Sequence, residues 1–204
     1  MQIPKGTFSI PNLLCLFRVA YLPIMVLLFY LDYIWQEQGV SWPAWTNVVL
    51  YTLAGLSDFL DGKIARYLKQ ETLLGKFLDS SSDKMVVGVS LICLVAYQRL
   101  TGIWVVPAII IYLREILISG MREFLALYNV SPKVTWVAKW KTTTQMLFIG
   151  FLMAGKYGPD LVPYAQEIGK AGFLLAMVLT VWSGWQYMRE AWVTIKRLET
   201  EGKA

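Results

Sequence analysis

Histidine is absent from this chain, and cysteine occurs only at Cys15 and Cys93. Any proton transfer must therefore fall to carboxylates, lysine or tyrosine, and any metal site must be built from oxygen. Two cysteines within apolar runs provide neither a disulfide framework nor a zinc pattern. Charge is also scarce: Asp, Glu, Lys and Arg together make up 16% of 204 residues, against 56% hydrophobic ones. No Walker loop, dinucleotide-binding fingerprint or Ser/His triad is present. The opening segment MQIPKGTFSIPN lacks a basic n-region, an apolar h-region and a small-residue cleavage site. No removable signal peptide is expected, and the first apolar run doubles as the insertion signal.

Apolar runs are abundant, at about twenty residues each, the length a helix needs to cross hydrocarbon. They predict an all-α integral membrane bundle of six transmembrane helices in a single domain, 1–204. The expected spans are Ile10 to Ile34, Pro43 to Arg66, Gly75 to Gln98, Ile103 to Leu127, Val137 to Lys156 and Glu167 to Arg189. The polar tail from Ile195 to Ala204 is expected to fray. Trp35, Trp42, Trp45 and Trp104 read as interfacial anchors.

Basic residues give the orientation. The connection between spans 2 and 3 carries Lys63, Arg66, Lys69 and Lys76, that between 4 and 5 carries Lys133, Lys139 and Lys141, and the C-terminal part carries Arg189, Lys196, Arg197 and Lys203. The opposite connections hold only Arg99, Lys156 and Lys170. The positive-inside rule then predicts that both termini are cytoplasmic. The net charge of +5 would suggest nucleic acid in a soluble protein; here it reports topology and anionic partners, with no nucleic acid expected.

Against this background stand four aspartates, Asp58, Asp61, Asp79 and Asp83, in the string SDFLDGKIARYLKQETLLGKFLDSSSDK. Carboxylates at membrane depth are costly and seldom retained without a function. Asp58 and Asp61 are spaced i,i+3, and Asp79 and Asp83 i,i+4, so each pair shares one helix face. The short connection makes spans 2 and 3 antiparallel neighbours, which lets the two faces meet at similar depth. Four crowded carboxylates repel unless cations neutralise them, and a pair of hard divalent ions is a common device in phosphoryl chemistry. Gly62, Ala65 and Gly75 allow close approach of a helix or ligand, and Arg66 can grip a phosphate bidentately.

The full pattern, D-x2-D-G-x2-A-R-x8-G-x3-D-x3-D, resembles at every fixed position the signature of the CDP-alcohol phosphatidyltransferases. The resemblance implies that Asp58, Asp61, Asp79 and Asp83 bind two divalent cations, Mg2+ or Mn2+, with Asp83 also the general base. It implies that Asn12, Gly62, Ala65, Arg66, Thr72 and Gly75 hold the CDP-lipid. The segments IPNLLCLFR, YLREILISGMREFLA and VAKWKTTTQM are similar to those of bacterial phosphatidylglycerophosphate synthases. That similarity implies CDP-diacylglycerol and sn-glycerol 3-phosphate as substrates, a homodimer, and a multi-pass protein of the bacterial inner membrane working at its cytoplasmic side. Ser80 departs from the pattern, standing where many members carry proline.

An anionic acceptor also follows from charge. Arg114 and Arg122 lie eight residues apart on one face of span 4, and Lys139 and Lys141 open span 5. Such charges usually face an interior cavity, here one suited to a phosphate. Arg114 could instead pair with Glu115 or Glu123, and Lys139 and Lys141 could snorkel to headgroups. For Arg18, two turns into span 1, snorkelling and contact with the CDP diphosphate both stay open, as do backbone and nucleotide bonding for Asn12. Inositol phosphate or serine as acceptor, an aspartate-rich prenyl-transfer enzyme, and a divalent-cation transporter are the alternatives. The Gly-x2-Ala-Arg spacing argues against prenyl transfer, and acids clustered at one side argue against transport.

Overall fold

The computed structural model describes residues 10–68, 73–128, 130 and 136–200, and every regular element among them is helical. Six long helices correspond to the six expected runs: α1 (Ile10–Trp35), α2 (Trp42–Leu68), α3 (Leu73–Ala96), α4 (Val105–Leu127), α5 (Trp136–Ala154) and α7 (Ala165–Thr200). The short α6 (Gly158–Leu161) precedes the last of them. Three stretches are long and apolar enough to cross a membrane by themselves: Leu13–Gln38, Gly102–Leu127 and Ala165–Thr200. The expected tail needs correcting. α7 continues through Thr200, because residues such as Glu190, Lys196, Arg197 and Glu199 are good helix formers whether or not lipid surrounds them.

Two compact units are present: residues 1–100 with 149–166, and residues 101–148 with 167–204. In the first, α1 packs against both α2 and α3. Its buried face is a helical stripe of Arg18, Tyr21, Met25, Leu28, Phe29 and Asp32, with the three- and four-residue steps of one helix side. The partners establish direction. Arg18 meets Asp83, Ser90 donates to Met25, Phe29 stacks on Tyr97, and Asp32 pairs with Arg99, so α1 and α3 run parallel. Tyr21 shares its hydroxyl between the side chain and backbone carbonyls of Asn47, at 2.6 and 3.0 Å, while Arg18 reaches Asp58, so α2 is antiparallel to both.

The far end of this unit is closed around Asp32 and Arg99. Gly155 adopts φ +56°, and a Cβ there would collide with the Arg99 guanidinium. Only glycine meets both conditions without strain. Beside it the Tyr157 hydroxyl donates to the Val40 carbonyl at 2.9 Å.

In the second unit, Ile111, Ile118 and Leu125 of α4 are buried at heptad spacing, as are Phe173, Ala176, Thr180 and Ser183 of α7. Lys170 lies over the Trp104 ring, Arg114 bonds Ser183, and Arg122 lies over the Tyr187 ring. These contacts make α4 and α7 parallel. Gly172 is packed against the Phe148 ring, and a Cβ at Gly184 would approach the Arg114 side chain to 3.1 Å. In both units large apolar side chains such as Leu27, Ile92, Ile109, Leu113, Trp182 and Trp185 face outward, whereas Arg18, Asn47, Ser90, Lys141 and Gln145 are buried. That arrangement suits hydrocarbon surroundings, where polar groups must be satisfied internally.

Candidate active site

The first unit gathers three of the four signature aspartates at one end of α1. Arg18 Nη1 donates to Asp58 Oδ1 at 2.8 Å and to Asp83 Oδ1 at 2.6 Å, and Nη2 donates to Asp79 Oδ1 at 2.9 Å. The buried Cys15 Sγ lies 3.3 Å from Nη2, one turn back along the helix. Arg18 is 1% exposed, while the side chains of Asp58, Asp79 and Asp83 are 27%, 50% and 48% exposed. The guanidinium thus forms a floor, and the carboxylates stand above it within reach of a ligand. A planar guanidinium with five donors can span three carboxylates, which an ammonium cannot.

Local packing explains how these groups are presented. The Ser57 hydroxyl returns to the Ala54 carbonyl at 2.7 Å and that of Ser82 to the Asp79 carbonyl at 3.2 Å. Both serines are thereby buried without competing for the aspartates. Gly75 lies one turn before Asp79 and is partly buried. Asp61, Gly62, Ala65 and Arg66 belong to α2, Asn12 to α1 and Lys139 to α5. Their side-chain surroundings lie outside the described residues, as does Thr72 altogether.

The donor set suits a hard cation: every ligand atom is a carboxylate oxygen, and three such oxygens already converge on one positive group. Among the described residues no three His, Cys, Asp or Glu side chains are grouped so as to hold a metal ion; the cation at the meeting point of Asp58, Asp79 and Asp83 is Arg18.

The second unit holds a cationic cluster. Arg114 donates to Ser183 Oγ at 2.9 Å and lies 3.7 Å from Glu115, whose other oxygen pairs with Lys141. The pairing of Arg114 with Glu115 expected as an alternative does occur, yet one carboxylate is shared by two cations. Arg122 is exposed, its guanidinium 6.0 Å from the centre of the Tyr187 ring, at the limit of a cation–π contact. Around this cluster, Arg114 Nε, both amide atoms of Gln145, Thr180 Oγ1, Gln186 Oε1 and the Tyr187 hydroxyl are buried without a hydrogen-bond partner among the described residues. Gln145 is 2% exposed and lies one turn beyond Lys141. Buried polar atoms are seldom left unbonded, because each costs roughly 1–3 kcal/mol. Each of these atoms is able to bond a polar ligand or water.

No local sequence pattern points to Asp32, Gln145 or Ser183, and position along span 1 alone leaves two roles open to Arg18. For Arg18 a signal existed: it continues the stripe of Tyr21, Met25 and Phe29, which points an arginine inward rather than to headgroups.

Comparison with known proteins bears on the same segments. The profile of the CDP-alcohol phosphatidyltransferases matches residues 8–182. The chain is 39% identical over 200 residues to the CDP-diacylglycerol–glycerol-3-phosphate 3-phosphatidyltransferase of Pseudomonas fluorescens, covering 96% of this chain and 94% of that protein. It is 37% identical over 187 residues to the proteins of the same name from Pectobacterium atrosepticum and Escherichia coli K12, covering 90% of this chain and 95% of each. The signature aspartates, gathered on adjoining helices within the matched region, and the extent of these similarities lead to one assignment: the chain belongs to the CDP-alcohol phosphatidyltransferase family.

Proposed function

We propose that this protein transfers the phosphatidyl group of CDP-diacylglycerol to sn-glycerol 3-phosphate, giving phosphatidylglycerol phosphate and CMP. The observation that carries the reading is the convergence of Asp58, Asp79 and Asp83, open on one side, in a chain closely similar to enzymes named for this transfer. Asp83, half-exposed, takes the proton of the acceptor's primary hydroxyl. The hydroxyl oxygen forms a bond to the β-phosphorus of the CDP-lipid, the bond from that phosphorus to the bridging oxygen breaks, and CMP departs with the electron pair. Two divalent cations, Mg2+ or Mn2+, held by Asp58, Asp61, Asp79 and Asp83, would neutralise the diphosphate and stabilise the leaving CMP. An aspartate among cations is a modest base, so positioning supplies much of the rate. Asn12, Gly62, Ala65, Arg66, Thr72 and Gly75 bind the CDP-lipid in this reading.

Arg114, Lys141, Arg122 and Lys139 bind the acceptor's phosphate. Support comes from the imbalance of the cluster, with the partly buried Arg114 and the buried Lys141 sharing Glu115, and from the unbonded polar atoms around it. We further read six membrane spans with both termini cytoplasmic, in a homodimer of the bacterial inner membrane whose site faces the cytoplasm. The opposed direction of α2 to α1 and α3 within the first unit and the distribution of Lys and Arg support the topology. A single domain is favoured because the family profile runs through both compact units.

The test is a product assay with CDP-diacylglycerol, Mg2+ or Mn2+, and a panel of glycerol 3-phosphate, inositol phosphate and serine. Phosphatidylglycerol phosphate is the expected product. Preferential transfer to another alcohol would overturn the acceptor assignment.

A further inference from the structure

Arg18 occupies the very oxygens that the proposed function, on which this inference rests, gives to divalent cations. A single guanidinium, almost wholly buried, contacts one oxygen on each of Asp58, Asp79 and Asp83 at 2.6–2.9 Å. These are the carboxylates proposed to bind the cations. We infer that Arg18 is an internal counterion of this cluster and competes with divalent cations for it.

The competition is electrostatic. Three carboxylates drawn together at membrane depth repel one another and resist ionisation unless a cation is close. A resident guanidinium relieves that repulsion before any metal arrives and holds the helices carrying the acids in register. The same charge opposes a dication brought to the same oxygens. Arg18 therefore stabilises the metal-free protein and weakens its metal affinity. Arginine suits this position because its planar fork reaches three oxygens at once and it does not give up its proton. Cys15, packed on Nη2 from the previous turn, closes the buried side and leaves the guanidinium facing the acids.

Mn2+ binding to the purified full-length protein in detergent, without lipid substrate, can be read from loss of the free-ion paramagnetic signal. In Arg18→Gln the apparent Mn2+ Kd should fall about tenfold. Its melting temperature without metal should drop below that of the wild type, and saturating Mn2+ should narrow the difference. Arg18→Lys keeps the charge but reaches fewer carboxylates, so a smaller tightening of roughly threefold is expected. That variant carries the test alone if Arg18→Gln does not fold. Unchanged or weaker Mn2+ binding in the folded variants overturns the competition. A guanidinium serving only to grip the diphosphate would give that result, together with a raised KM for CDP-diacylglycerol. Wild-type protein that transfers phosphatidyl groups yet binds no Mn2+ has a different meaning: it sinks the dication reading, and the competition with it.

Discussion

At one end of α1 Arg18 faces three carboxylates, and about 21 Å along the same helix Asp32 faces the single guanidinium of Arg99. Both groups join a side chain of α1 to residues in or just after α3, with Asp58 of α2 added at the Arg18 end, and both include a nearly buried arginine. They differ in balance and access. Asp32 and Arg99 are matched one to one, nearly enclosed, and pressed upon by a glycine where no other residue fits. Arg18 is outnumbered, and its partners stand half-open. Breaking a matched, buried pair costs stability because the survivor is left uncompensated. An unmatched, accessible cluster attracts further cations instead. Charge balance thus separates a structural ion pair from a candidate reaction centre where composition alone would class them together. The second unit shows an imbalance of opposite sign, with the partly buried Arg114 and the buried Lys141 sharing Glu115.

This contrast can be broken experimentally. Asp83→Asn should lower phosphatidyl transfer by about 1,000-fold while the melting temperature in detergent stays near that of the wild type. Comparable loss of both would place Asp83 with the structural pair. Asp32→Asn should behave in the opposite sense, destabilising the fold by about 3 kcal/mol with turnover per folded molecule retained. Thermal unfolding and an active-site-normalised assay distinguish the two, and a stable but inactive Asp32→Asn would erase the contrast between the ends. In the second unit, Arg114→Ala or Lys141→Ala should raise the KM for glycerol 3-phosphate about tenfold and leave that for CDP-diacylglycerol unchanged. An unaltered acceptor KM would remove the phosphate site from this cluster. The smallest effect is expected midway along α1, where Tyr21→Phe removes the hydrogen bond to Asn47. Its cost should be about 1 kcal/mol, seen as a modest fall in melting temperature with unchanged kinetics.

Much of the helical framework is legible from run length. The first five long helices begin and end within about two residues of the apolar stretches, since burial or lipid exposure favours the same side chains throughout a crossing. α7 escapes that logic beyond Arg189, where helix-forming residues continue after the apolar run has ended. The meeting of Asp58 with Asp79 and Asp83 was legible too, because helix periodicity and a short connection require it. The Asp32–Arg99 pair was not. Its members are 67 residues apart, and no local pattern joins a lone acid near the end of one apolar run to a lone base after another. Gly155 is intelligible only once that pair is seen.

An all-helical, lipid-compatible chain, the faces its four signature aspartates share, and the family to which their spacing points can all be read from the order of residues. Those properties follow from chemistry repeated at short range, which periodicity exposes. That Arg18 turns inward to three of those acids, that Asp32 has a partner, and that Arg114 and Lys141 share one carboxylate emerges only from the folded chain. These depend on which side chains meet across separate helices, and charge balance is a property of such meetings rather than of any one segment.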